Sequence, residues 1–75
     1  SSAEREAIEN ALMAWAVRAP AEHELQLYNA FFLLGSQRVA DELGTRIPSA
    51  ADPGLKDRLT RAREATLRGV RTRRR

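Results

Sequence analysis

The sequence predicts an all-α fold: a small three-helix bundle with a long central second helix, completed by dimerisation or by a partner. Apolar residues recur at the spacing of one helical face, as in the series Ile8, Leu12, Trp15 and Ala19. Helix-breaking residues divide the chain at Pro20, Gly44 and Pro53. A chain of 75 residues that is 43% apolar and 31% charged is typical of one globular domain.

We expect helix one at about residues 2–19. Ser1 and Glu4 have the spacing of an N-terminal capping box, and Pro20 disfavours a helical residue before it. The series from Ile8 to Ala19 forms the expected core stripe. Met13 and Val17 lie on the opposite side of this helix, which favours a second contact surface.

Helix two is expected at about residues 21–43, ending at Gly44 as a left-handed C-cap. Its middle is apolar on nearly every side, so it must be covered on more than one face. One face is expected to pack on the other helices and contains Leu25, Tyr28, Phe32, Val39 and Leu43. The opposite face, with Leu27, Phe31 and Leu34, is expected to remain uncovered. Gly35 and Ser36 in mid-helix allow a close approach by another helix or a slight bend.

Helix three is expected at about residues 53–71, with Asp52 as N-cap and Pro53 in the first position. One narrow stripe is weakly apolar and contains Leu55, Leu59, Ala62, Thr66 and Val70. Because most of its other residues are charged, we expect an outer helix that docks along one edge. Residues 71–75, RTRRR, are expected to fray or to extend as a basic arm.

Charge is divided unevenly along the chain. Residues 1–53 carry four arginines against eight acidic residues, a net charge of −4, and residues 54–75 carry nine basic against two acidic residues, a net charge of +7. A basic end on an acidic body suggests a partner that offers phosphates or an acidic protein surface. The candidate phosphate contacts are Arg61, Arg68, Arg71, Arg73, Arg74 and Arg75. The alternative interpretation is a well-solvated last helix.

The residues that catalysis requires are scarce. The chain has no cysteine, its one histidine is His23, and its four glycines are isolated rather than grouped in a phosphate-binding loop. We therefore expect no enzyme, no metal, no cofactor and no small-molecule substrate. No apolar run reaches the length of a membrane span, so we expect a soluble, cytoplasmic protein.

Two short stretches resemble known families. His23 resembles the phosphate-accepting histidine of histidine phosphotransfer domains, but Gln26 and Leu27 stand where those domains have a Lys-Gly pair. We interpret His23 as a surface side chain.

The stretch Ser36 to Gly44, SQRVADELG, resembles the first helix and turn of a helix-turn-helix motif. The following segment departs from that motif, because Thr45 stands where an apolar residue is usual and Pro53 would break the recognition helix.

These observations predict a non-catalytic helical module for protein–protein interaction or dimerisation. The expected interface consists of Leu27, Phe31, Leu34, Arg38, Met13 and Val17. Its partner would be a second copy or a helical protein. The rival hypothesis is a nucleic-acid-binding protein that holds phosphates with helix three and the Arg-rich end. A third is a fragment of a larger assembly, in which the second helix packs on further domains.

Overall fold

The computed structural model describes residues 1–74, and these form an all-α bundle, as predicted. The described part contains four α-helices and no strand: α1 Ser2–Arg18, α2 Glu24–Leu34, α3 Gln37–Arg46 and α4 Pro53–Arg73. Short 3₁₀ turns at Ala21–His23 and Ile47–Ser49 join α1 to α2 and α3 to α4. Arg75, the last of the predicted phosphate contacts, lies outside the described residues.

The starts of α1 and α4 have the predicted capping residues. Ser1 Oγ accepts a hydrogen bond from the backbone N–H of Glu4 at 3.3 Å, and Asp52 Oδ1 accepts one from the N–H of Leu55 at 2.8 Å. Each bond satisfies one of the donors that the first turn of a helix leaves without an intrahelical partner. α1 ends at Arg18, before Pro20, and α4 begins at Pro53. Pro20 and Asp52-Pro53 therefore mark the end of α1 and the start of α4 correctly.

The expected continuous helix over residues 21–43 is divided into α2 and α3. Gly35 and Ser36 both have extended backbone, with ψ values of 145° and 174°, and Ser36 Oγ accepts from the N–H of Val39 to begin α3. A Cβ on Gly35 would lie 2.7 Å from Cγ2 of Thr66, so this corner packs tightly against α4. The Gly-Ser pair is thus a C-cap followed by an N-cap, rather than a slight bend within one helix.

Gly44 does not end the helix, contrary to expectation. α3 continues to Arg46, and none of the glycines in residues 1–74 has a positive φ. The side chain of Arg63 crosses α3 at Gly44, where a Cβ would lie 3.1 Å from its Nε atom. The absence of a side chain therefore serves a close crossing at Gly44 and not a left-handed turn.

The last helix, not the second, is at the centre of the bundle. α4 contacts α1, α2 and α3, most extensively α2 and α3. The expectation of an outer helix is wrong because the buried face of α4 consists mainly of small residues, Leu59, Ala62, Ala65, Thr66 and Gly69. Small side chains add little apolarity to a sequence profile, but they let neighbouring helices approach closely. α2 and α4 run in the same direction, and α1 runs opposite to both, as the contacts at their ends show.

Candidate interaction surface

Three residues of the predicted interface are part of the core and cannot receive a partner. Leu27 and Phe31 are fully buried, and Met13 is 6% exposed. Two others are accessible, since Leu34 is 55% and Val17 is 51% exposed. The Arg38 side chain is more than half exposed, but its Nε donates to Glu9 Oε1 at 2.8 Å. The predicted set is therefore not one continuous surface.

The expected assignment of the two faces of α2 is only partly correct. Tyr28 and Phe32 pack against the core and Leu34 is exposed, as expected. Leu27 and Phe31 belong to the core cluster, whereas Leu25, expected to be covered, is 72% exposed. The cause is the helix break, because residues 25–32 and 39–43 no longer share one helical phase. Val39 and Leu43 are buried as predicted, but they belong to α3 and say nothing about which side of α2 faces inward. Met13 is buried because α3 covers the second side of α1.

An open groove lies where α1, the end of α2 and the end of α4 meet. Its apolar lining comes from Ile8 of α1, Leu33 and Leu34 of α2, and Val70 of α4. Ile8 is 47% and Leu33 is 65% exposed, and Val70 is half-buried. These side chains remain uncovered because the chain turns at Gly35 and Ser36, and α3 then leaves along α4 instead of continuing over them. We name this feature the Ile8–Val70 groove.

A buried carboxylate forms the inner wall of the Ile8–Val70 groove. Glu9 is 3% exposed, and its two oxygens accept from Ser36 Oγ at 2.5 Å and from Arg38 Nε at 2.8 Å. Burial acts to raise the pKa of Glu9, but the hydrogen bonds from Ser36 and Arg38 outweigh it, so this pKa is lowered below its usual value. Glu9 therefore stays ionised and ties α1 to the start of α3.

Basic side chains surround the groove. Arg5 of α1 and Arg73 and Arg74 at the end of α4 line it, together with Glu4 and Glu9 as the acidic residues. The charge of Glu9 is compensated by Arg38, and the Glu4 side chain is 82% exposed to solvent. The rim of the groove is therefore positive on balance.

Three arginines of α4 bond to backbone carbonyls of the other three helices. Arg58 donates to Ala19 O at 2.7 Å at the end of α1, Arg63 donates to Ala40 O of α3 at 3.2 Å, and Arg73 donates to Phe32 O of α2 at 2.7 Å. Arg73 also donates to the carbonyl of Gly35. The last carbonyls of a helix lack intrahelical partners and carry partial negative charge, which Arg58 satisfies at the end of α1 and Arg73 at the end of α2. Ala40 lies before the last turn of α3, so Arg63 ties α4 to the middle of that helix. Much of the basic character of α4 thus serves the fold.

The predicted phosphate contacts divide into two groups. Arg73 is engaged with α2, and Arg61 pairs with Asp57 at 2.9 Å on the surface of α4. Arg68, Arg71 and Arg74 are exposed, and their side chains make no hydrogen bond or ion pair with any residue in the range 1–74. The structure therefore leaves fewer arginines accessible than the count in the sequence suggests.

Another polar cluster lies at the opposite end of the bundle. Tyr28 Oη donates to Glu24 Oε1 at 2.9 Å, and Arg58 donates to Glu24 Oε2 at 3.3 Å. Burial, together with the hydrogen bond to Glu24, raises the pKa of Tyr28 to about 12. The bonds from Tyr28 and Arg58 lower the pKa of Glu24. His23 is exposed in the adjacent 3₁₀ turn. Both shifts favour the usual protonation states at neutral pH, in which Glu24 is ionised and Tyr28 is neutral.

Several groove and contact residues were not singled out from sequence. The sequence could have indicated Leu33, because two leucines stand directly before the Gly-Ser pair. If that pair is recognised as a helix end, at least one of the two leucines is expected to be uncovered. Arg58 and Arg63 have weaker signals, since their spacing places them beside the stripe of Leu59 and Ala62. No sequence pattern indicates the burial of Glu9. An acidic residue is almost never fully buried unless a partner compensates it, and its partners here, Ser36 and Arg38, are distant in the sequence.

No helix among residues 1–74 combines the length and the apolarity that crossing a bilayer requires. Within the same range, no group of three His, Asp or Glu side chains is close enough to hold a metal ion. Comparison of the chain with models of protein families, with curated proteins and with solved structures found no significant match.

Proposed function

We propose that this chain is a non-catalytic protein-interaction module that receives a helix of a partner protein in the Ile8–Val70 groove. The main support is the clustering of exposed apolar side chains. Of the five large ones exposed among residues 1–74, three line this groove: Ile8, Leu33 and Leu34. Single apolar side chains are normal on a protein surface. A contiguous apolar patch with a polar rim more often marks an interaction site.

The dimensions of the groove favour a helix over a second copy of the chain. A standard interface buries about 800 Å² and 20–30 residues on each partner. The apolar part of the groove has only four side chains, those of Ile8, Leu33, Leu34 and Val70. A helix that docks in a groove contributes anchors at i, i+3, i+4 and i+7, a number that such a patch can accommodate.

The polar groups around the groove support binding rather than catalysis. Glu9, its buried acid, is already bonded to Ser36 and Arg38 and keeps a lowered pKa. A general acid or base needs a pKa near the working pH and a free position toward the substrate. His23, the one histidine, belongs to the turn at the opposite end of α2.

Binding to a model helix tests the proposal. The probe is an alanine-based, uncharged synthetic helix with leucines at i, i+3, i+4 and i+7, titrated into the isotope-labelled chain and followed by amide chemical shifts. We expect the largest shifts at Ile8, Leu34 and Val70. Ile8→Ser is expected to weaken binding at least about fivefold, because a partly exposed anchor contributes about 1 kcal/mol.

The matched control is Leu25→Ser, which removes a similarly apolar and even more exposed side chain of α2 that does not line the groove. It should leave the affinity unchanged, and circular dichroism should show both variants folded. Shifts spread evenly over the surface, or equal losses in the two variants, would contradict the proposal. Sedimentation tests the alternative that a second copy of the chain occupies the groove. If the chain forms a dimer and Ile8→Ser abolishes it, the groove serves self-association instead.

The basic end of α4 supports nucleic-acid binding as a second candidate. Arg68, Arg71 and Arg74 are exposed on the last two turns, where they could meet phosphates together. This candidate is weaker, because Arg58, Arg63 and Arg73 are committed to backbone carbonyls and Arg61 to Asp57. No aromatic side chain lies among these arginines to stack on bases.

A further inference from the structure

We infer that the partner helix of the Ile8–Val70 groove is acidic, with carboxylates flanking its apolar stripe. This inference rests on the proposed function, since it assigns the chemistry of a helix bound at the same site. It identifies Arg5 and Arg74 as the residues that select the partner. Both line the groove, and they belong to different elements, Arg5 to α1 and Arg74 to the C-cap of α4.

The arrangement of charges at the groove carries the inference. Arg5 makes no ion pair with another side chain in residues 1–74, and the same holds for Arg74, so both guanidinium groups are available to a ligand. Glu9, the acid nearest the groove floor, is turned into its bonds with Ser36 and Arg38. Arg5 also acts on Glu9 through its charge, and Glu4 is the other acid of the lining, so the lining retains a small excess of positive charge. An acidic residue of a partner would therefore meet two arginines that have no ion pair of their own, and this arrangement favours it over a basic residue.

The rest of the surface does not offer the same combination. Val17 is exposed near the other end of α1, where the adjoining cavity is lined by Glu24 and Asp52 as well as Arg58. The cavity beside Tyr28 has Arg61 and Arg68, but also Asp57 and Glu64, and no exposed leucine or isoleucine. Within residues 1–74, exposed apolar side chains and accessible arginines thus coincide at the Ile8–Val70 groove.

The helix dipole of α2 acts against this preference, but its effect is neutralised. The end of α2 at Leu34 exposes its final carbonyls toward the groove, and their partial negative charge would oppose an acidic ligand. Arg73 donates to the carbonyls of Phe32, Leu33 and Gly35 and so neutralises that charge. Arg73 is therefore a positioning residue, because its charge is used in its bonds to α2. Arg5 and Arg74 then determine the charge that a ligand meets in the groove.

Two peptides that differ only in charge test the inference. Both carry the four leucines of the uncharged probe, one with glutamates and the other with lysines at the flanking positions. At low ionic strength we expect the glutamate peptide to bind about tenfold more tightly than the lysine peptide. The preference should shrink as salt is added, because pairs at an exposed rim are screened.

Substitutions assign the preference to particular residues. Arg5→Gln and Arg74→Gln should each reduce the affinity for the glutamate peptide about two- to fivefold, the size of an exposed ion pair, and leave the uncharged peptide unaffected. Arg18→Gln is the matched control, because Arg18 is exposed on α1 but lies outside the groove. It should change neither affinity beyond experimental error.

The outcomes separate this inference from the proposed function. If all three peptides shift the groove residues with equal affinity, the groove binds helices but the acidic partner is wrong. A preference for the lysine peptide, or an effect of Arg18→Gln equal to that of Arg5→Gln, likewise overturns the inference alone. If no peptide shifts these residues, the proposed function itself is wrong.

Discussion

Gly69, in the second half of α4, lies directly against the backbone carbonyl of Phe32 in α2. A Cβ at position 69 would overlap that carbonyl oxygen, and the neighbouring atom is backbone, which cannot turn aside. This contact sets the distance between the two helices that share the largest interface of the bundle. It also holds Phe32 where Arg73 can donate to the same carbonyl.

Gly69→Ala is therefore expected to destabilise the fold, although alanine is the better helix former. The substitution gains about 1 kcal/mol in helix propensity. Overpacking against a fixed backbone costs about 1–3 kcal/mol, and here α4 must also move away from α2. We expect a net loss of about 1–2 kcal/mol in the free energy of unfolding, measured by urea denaturation with Trp15 fluorescence. Gly54→Ala, in the exposed first turn of α4, should change it by less than half as much; a stabilised Gly69→Ala would disprove the close approach.

Arg58 and Arg61 lie one turn apart on α4 and should differ sharply in their contribution to stability. The Arg58 side chain is 14% exposed and bonds to the carbonyl of Ala19 and to Glu24, whereas the Arg61 side chain is 61% exposed and pairs only with Asp57. Charged hydrogen bonds at a half-buried site contribute about 1.5–3 kcal/mol. Thermal unfolding of Arg58→Gln should show a loss in this range, and Arg61→Gln should lose less than about 0.5 kcal/mol. Equal losses would mean that Arg58 does not hold the end of α1.

Glu9 should make the stability depend on pH in the acid range. Its folded-state pKa is lowered below the ordinary value of a glutamate, so its contribution is fully present above that ordinary value and is lost as the pH falls through the folded-state pKa. Glu9→Gln keeps the shape but not the charge. We expect it to reduce the free energy of unfolding by about 1 kcal/mol at pH 7, and the gap to wild type to narrow below about pH 4. Urea titrations at several pH values measure this gap, and a gap that widens in acid would contradict the ion pair with Arg38.

Truncation of Phe31 should destabilise the fold far more than truncation of Leu25, which tests which side of α2 faces the core. Phe31 is fully buried and Leu25 is 72% exposed. Phe31→Ala is expected to remove about 3–5 kcal/mol, comparable to the whole stability of a domain of this size, and to leave the chain largely unfolded. Leu25→Ala should remain folded, with a melting temperature within a few degrees of wild type. Circular dichroism decides between these outcomes; a folded Phe31→Ala would mean that this face of α2 is not in the core.

Any binding to duplex DNA should be weak and should involve few phosphates. Because Arg58, Arg63 and Arg73 are held by backbone carbonyls, Arg68, Arg71 and Arg74 are the arginines of the basic end that remain available among residues 1–74. Arg75 lies outside the described residues, and counting it as well sets an upper limit of four. The slope of log affinity against log salt is about −0.9 per phosphate neutralised, so it should be no steeper than about −4. A titration at several salt concentrations measures the slope. A markedly steeper value would favour the nucleic-acid function over the protein-interaction function.

The all-α class and the ends of several helices could be predicted from sequence. Ser1, Pro20, Asp52 and Pro53 act through their own backbone geometry or through a hydrogen bond three residues away, so local chemistry suffices. The candidate site could not be predicted, because it depends on which face of α2 turns inward. Treating residues 21–43 as one helix placed Leu25 and Val39 on the same face, and the break at Gly35 and Ser36 separates them.

The sequence by itself determined that this protein is helical, where α1 and α4 begin, and that its basic charge is concentrated at one end. These properties follow from spacing, from caps and from composition. Only the tertiary structure decided that α4 is central, that Phe31 is buried, and that Ile8, Leu33, Leu34 and Val70 share a groove. The reason is that burial depends on close contacts between positions far apart in sequence, such as Gly69 with Phe32 and Gly35 with Thr66. Small residues permit these contacts, but their pattern in the sequence does not identify the partner.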